Sequence, residues 1–156
     1  MKKIRLALVS TAMIAGLMLS CNNDDDDPIA ANLEGKWTPT KTITVANGGD
    51  QEVENYSENE AACDKDYREF VDGGAYRHVI WYLNASNNCT EDVLTSTWSK
   101  SGDQLIINAN PDPAMSPPDP GIYEITKLTN SELRIRSTAV VAGVDFEVTK
   151  VFKRID

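Results

Sequence analysis

Histidine is almost missing from this sequence: His78 is the only one, and there are just three cysteines, Cys21, Cys63 and Cys89. That scarcity leaves no spacing of the kind that holds zinc. No Ser-His-Asp arrangement and no phosphate-cradling glycine loop is present either. The chain therefore reads as a non-enzyme that uses no metal and no cofactor. Long apolar runs are lacking as well. The longest uncharged, mostly apolar stretch, residues 6–19, falls short of the about 20 residues that span a bilayer as a helix. After Pro28 no segment shows the i, i+3, i+4, i+7 recurrence of a long amphipathic helix. Bases are the last shortage, 15 Lys and Arg against 24 Asp and Glu, for a net charge of −9. This balance argues against nucleic acid, which needs basic patches, and against docking on anionic lipid.

What the N-terminus does contain is ordered. Lys2, Lys3 and Arg5 precede the apolar stretch, which ends at Leu17-Met18-Leu19-Ser20-Cys21. A basic start, a short apolar core and small residues before a cut site describe a secretory signal peptide over residues 1–20. A retained anchor helix is the alternative, and the short length and the Asp24-Asp25-Asp26-Asp27 run that follows speak against it. The stretch ending at Cys21 also resembles the lipobox of bacterial lipoproteins. The resemblance implies that Cys21 becomes the mature N-terminus and carries the lipid. Several acyl chains on one residue meet the requirement that stable anchoring takes more than one. Residues 21–32 then form the lipidated Cys and an acidic linker. A block of like charge reads as a solvated spacer. Cys followed by Asn and Asp also resembles the export signal of some Gram-negative lipoproteins, which implies the outer membrane and its outer face, with the periplasmic face as the alternative.

The first 20 residues hold three bases and no acid, so cleavage takes the net charge from −9 to −12. The remaining chain fits a single domain at residues 33–156 and is expected to be a monomer. With Cys21 assigned, Cys63 and Cys89 have only each other, and an exported protein meets an oxidising compartment, so a disulfide is expected.

From residue 33 onward the chain reads as all-β. Short β-rich runs alternate with turn chemistry, giving strands at 35–45, 67–71, 76–83, 93–99, 104–108, 122–128, 133–140 and 144–155. Asn47-Gly48-Gly49, Asp72-Gly73-Gly74, Ser101-Gly102-Asp103 and Ala142-Gly143 are the turn signals, and a long polar segment carries Cys63. A loop with five of the seven prolines fills 111–120. Tight turns require antiparallel neighbours. An eight-stranded antiparallel meander hides its two edges by closing into a small barrel; a β-sandwich is the alternative. Alternation places Leu105 with Ile107, Leu133 with Ile135, and Phe146 with Val144 and Val148 on inner faces. In the third strand Val79, Trp81 and Leu83 lie on one face and Tyr76, His78, Ile80 and Tyr82 on the other, so both faces are expected to be covered. The set expected to line a ligand space or fill the core is Val79, Trp81, Leu83, Trp98, Leu105, Ile107, Leu133, Ile135 and Phe146. His78 reads as a structural histidine. The adjacent apolar pair Val151 and Phe152 breaks the alternation of the last strand near Lys150, and a bulge there is expected to reconcile them.

Leu33-Glu34-Gly35-Lys36-Trp37 resembles the G-x-W signature that opens the lipocalins. The resemblance implies that Trp37 closes one barrel end and packs on an arginine from a late strand, for which Arg154 is the match. More closely, the chain is similar to bacterial lipocalin-like domains of small lipoproteins. That similarity rests on Cys63-Asp64-Lys65-Asp66, Glu69-Phe70, Cys89, Thr97-Trp98-Ser99 with Gly102, and Tyr123, Ile125 and Leu128. It implies a barrel that holds a small hydrophobic or amphipathic molecule. The alternative is a solid barrel that acts as a surface interaction protein for a protein or glycan, with the proline-rich loop as its recognition edge.

Overall fold

The computed structural model describes residues 32–155. The signal peptide, Cys21 and the acidic run therefore lie outside the described residues. Nine strands follow in order: β1 Gly35–Ala46, β2 Gln51–Asn55, β3 Tyr67–Phe70, β4 Ala75–Leu83, β5 Cys89–Ser101, β6 Gln104–Ile107, β7 Gly121–Leu128, β8 Glu132–Val141 and β9 Val144–Ile155. All pairings are antiparallel: β1 pairs with both β2 and β3, β3 to β8 each pair with the next strand, and β9 returns to pair with β1 along Lys36 to Ala46. Eight strands thus close a barrel, as the turn chemistry predicts, and β2 is an addition to it.

The strand missing from the sequence reading is β2. Its residues, Gln-Glu-Val-Glu-Asn, are all exposed and show no apolar alternation. It exists because Asn47 and Gly48 both adopt positive φ, 50° and 67°, the geometry of a tight hairpin turn, and fold the chain back on β1. One edge of β1 is consequently shared. Gly35 to Trp37 pair with β3, and Lys41 to Val45 pair with β2. Pro39, which has no N–H to offer, stands at the changeover.

The irregularity expected in β9 lies in its partner. β9 keeps an unbroken register against β8, and the extra residue is Thr40, between Pro39 and Lys41 of β1. Its hydroxyl donates to Val151 O at 2.9 Å, and its carbonyl accepts from Tyr56 N at 2.9 Å. Val151 and Phe152 are both buried, but only Phe152 belongs to the central core. A second shift falls in β7 between Ile125 and Lys127.

In an up-and-down barrel alternate connections share an end. The entry segment 32–34, and the turns around Gly74, Gly102 and Ser131, gather at one end. The hairpin turn after β1, the long stretch before β3, the loop at 84–88, the proline-rich loop and the β8–β9 turn gather at the other, which we call the mouth. The disulfide between Cys63 and Cys89 is present, with Cα atoms 5.5 Å apart, and it ties two mouth-side segments together.

Candidate functional site

Trp37 is fully buried in the core with Leu33, Phe70, Leu105, Leu133 and Phe152. Its indole Nε1 donates to Leu33 O at 2.8 Å. In register it stands between two arginines, Arg154 of β9 and Arg68 of β3. The Arg154 guanidinium lies 4.2 Å from the indole centre. Its Nη1 donates to Glu34 O at 2.8 Å and its Nη2 to Asn32 O. Gly35 makes room for this: a Cβ there would sit 2.5 Å from Arg154 Nη1, and its φ of +121° disfavours any side chain. The glycine of the G-x-W signature is thus where the arginine passes.

The core above this end is packed with side chains. Phe70 meets Trp98 edge-on at 5.5 Å and Tyr76 at 5.3 Å. Toward the mouth the interior turns polar. Asp119, from the proline-rich loop, points inward with its side chain 16 % exposed. Lys150 Nζ donates to its Oδ2 at 2.5 Å, and Arg68 Nη2 lies 3.6 Å from the same oxygen. Tyr123 OH donates to the Asp119 carbonyl at 2.8 Å, and Pro117 beside it is buried, so the loop is held down over the mouth. His78 is the cross-strand partner of Arg68.

Burial sets the charge states here. It pushes the His78 imidazole down, and Arg68 and Lys150 add to that against Asp119, to a pKa of about 3; the ring is neutral at ordinary pH. Burial alone would raise Asp119, but Arg68 and Lys150 outweigh it and hold the carboxyl below its usual 3.8. Tyr123 is pushed up to about 12 by burial and by Asp119. Three buried atoms of this cluster, Arg68 Nη1, His78 Nδ1 and Asp119 Oδ1, have no hydrogen-bond partner among the described residues.

A cleft of about 210 Å³ opens beside the cluster, where β1 passes from β3 to β2. Arg68, Lys150, Tyr56, Pro39, Val151 and Phe152 are among its walls. Asp66 fixes the segment behind it: fully buried, it accepts from Tyr56 OH at 2.5 Å and from Trp81 N at 2.6 Å.

Of the residues expected to line the interior, Leu105, Ile107, Leu133 and Ile135 are in the core and Trp98 packs against it. Phe146 is half-buried on the mouth side, in a surface hollow with Val45 and Val140. The face of β4 is a correction. Val79 is buried but outside the core cluster, Trp81 is half-buried beside Lys36 and Tyr67, and Leu83 is 36 % exposed. Pairing explains it: Tyr76 stands opposite Phe70, so its face, with His78, turns inward. Both faces of β4 are covered at Tyr76 and Val79, but Tyr82 and Leu83 at its mouth end are not.

Arg68, Asp119 and Lys150 were not singled out from sequence. Arg68 shares a face with Phe70, and Lys150 one with Val148 and Phe152, so alternation alone places both inside. Asp119 carries no such signal.

The family profile of the lipocalin-like domain matches residues 33–135. The chain belongs to that family. Among curated proteins none matches this lipocalin-like domain. Solved structures similar to it include bovine odorant-binding protein in complex with a selenium-containing odorant, at 16% identity, 80% of this chain and 71% of that one, and a TM-score of 0.40. The complex of the bovine protein with undecanal gives 15%, 80%, 74% and 0.40.

Proposed function

We propose that this lipocalin-like domain is a lipid-anchored, outer-membrane lipoprotein displayed at the cell surface, and that it works by binding one small amphipathic molecule rather than by catalysis. The observation that carries the binding reading is the cleft beside Arg68 and Lys150. It joins an apolar wall to three cations, Arg68, Lys150 and Lys41, at the side of a barrel whose entry end is filled by side chains. Eight-stranded barrels are just wide enough to be filled in this way or to hold one small ligand. The anchor reading rests on the ordered basic, apolar and Ser-Cys elements before Cys21. The chain enters the barrel at the end opposite the mouth, at Asn32 and Leu33. A tether there leaves the mouth facing away from the bilayer.

The solid-barrel reading draws on exposed Val140 and Val141 at the β8–β9 turn. Its other support, the proline-rich loop as a free edge, is weakened because Pro117 and Asp119 of that loop turn inward.

Native mass spectrometry of the purified full chain tests the binding reading: the expected spectrum carries a small organic adduct lost on unfolding, and a spectrum of bare protein after incubation with lipid extracts contradicts it. Cys21→Ser is expected to abolish labelling by radioactive palmitate, and labelling that persists contradicts the anchor.

A further inference from the structure

The binding reading leaves open which chemistry the cleft selects, and its three cations, Arg68, Lys150 and Lys41, answer that. Arg68 is buried, yet its Nη1 meets no acceptor among the described residues and the residue lines the cleft. Lys150 lines the same cleft with one proton committed to Asp119. Buried donors left unmatched are costly, and an ionised acceptor satisfies a guanidinium best. The carboxylates nearby do not fill that role. Asp119 approaches Arg68 through Nη2 only, both Asp66 oxygens are taken by Tyr56 and Trp81 N, and Glu54 and Glu58 sit exposed at the rim, where solvent screens them. His78, opposite Arg68, brings no charge at neutral pH.

Resting on the binding reading, we propose that the cleft is a carboxylate site: it takes a small monocarboxylate, whose charged head meets the cationic side chains of Arg68 and Lys150, with Lys41 at the same cleft, and whose short tail lies on Pro39, Val151 and Phe152. Volume limits the tail. At roughly 30 Å³ for each water-sized group, 210 Å³ holds about seven such groups, the size of pentanoate. Asp119 competes with the ligand for the same cations. Its loop is therefore coupled to occupancy of the cleft.

Equilibrium dialysis of the full chain in nanodiscs, with empty nanodiscs subtracted, against radiolabelled pentanoate, pentanol and pentylammonium tests this. Pentanoate is expected to bind about tenfold or more tighter than either neutral or cationic analogue, the usual worth of a charged hydrogen bond. Arg68→Gln and Lys150→Met are expected to erase that preference, and Asp119→Asn to strengthen pentanoate binding by several-fold. Lys150→Met carries the test if Arg68→Gln fails to fold, since Lys150 is the more exposed of the two. Pentanol binding as tightly as pentanoate, or a preference that survives both charge-removing variants, overturns the carboxylate assignment and leaves the binding reading standing. No binding of any of the three overturns both.

Discussion

Arg154 and Arg68 flank the same tryptophan from opposite sides, and they are used in opposite ways. Arg154 is fully committed: its planar group covers the indole and its nitrogens meet two backbone carbonyls of the entry segment. Arg68 lines a cleft, meets one carboxylate at 3.6 Å, and has a buried Nη1 with no hydrogen-bond partner among the described residues. The polar groups around Arg154 thus satisfy one another, and those around Arg68 and Asp119 do not. In a close-packed interior such a contrast separates structure from recognition, because unsatisfied buried groups persist only where something else offsets their cost.

The contrast is broken most severely at its shared centre. Trp37→Ala removes the ring that Arg154 covers, and is expected to cost about 3–5 kcal/mol in urea unfolding. Arg154→Ala is expected to cost less, about 1–2 kcal/mol, and the double variant less than the sum because the two groups share one contact. Full additivity contradicts the committed role of Arg154. On the mouth side, replacing Cys63 and Cys89 with Ser releases a loop of sequence separation 26 and is expected to cost about 3–4 kcal/mol, read by the same unfolding curves with and without reductant. A loss of carboxylate binding larger than the loss of stability would show that the bridge positions the cleft.

Acidity sharpens the comparison further. The folded pKa of His78, about 3, lies below its ordinary 6.5, so the unfolded chain takes up that proton first. Its neutral state contributes stability fully above about 6.5, and that contribution falls as pH drops toward 3, at roughly 1 kcal/mol per pH unit. Asp119 is depressed below 3.8, so its contribution holds above that value and is lost only as pH falls further. His78→Gln is expected to flatten the slope between about pH 6 and 4, and an unchanged slope contradicts the buried neutral ring.

Much of the entry side is legible in the sequence, because alternation and turn residues report burial. Leu105 with Ile107 and Leu133 with Ile135 announce their faces, and the Gly35–Trp37 signature marks the point where the barrel closes. The mouth side is harder to read. Lys150 interrupts an inward row of apolar residues and looks like a register error, when it is a charge placed inside on purpose of pairing with Asp119. The bulge this suggested in β9 is instead Thr40 of β1, where the signal is the preceding Pro39 rather than any break in apolar alternation. In β4 both faces are apolar, so hydrophobicity favours Val79, Trp81 and Leu83, whereas pairing with β3 turns Tyr76 and His78 inward. Asp119 comes from a loop, and its partners lie 31 and 51 residues away in sequence, beyond any local pattern. Strand β2 pairs with β1 through its main chain while all its residues are exposed, so no apolar alternation marks it.

The division between a committed and an open arginine is tested most directly by observing both guanidinium groups at once. In the full chain labelled with ¹⁵N-arginine and titrated with pentanoate, the Arg68 side-chain resonances are expected to move and saturate while those of Arg154 stay in place. Movement of neither, or equal movement of both, contradicts it.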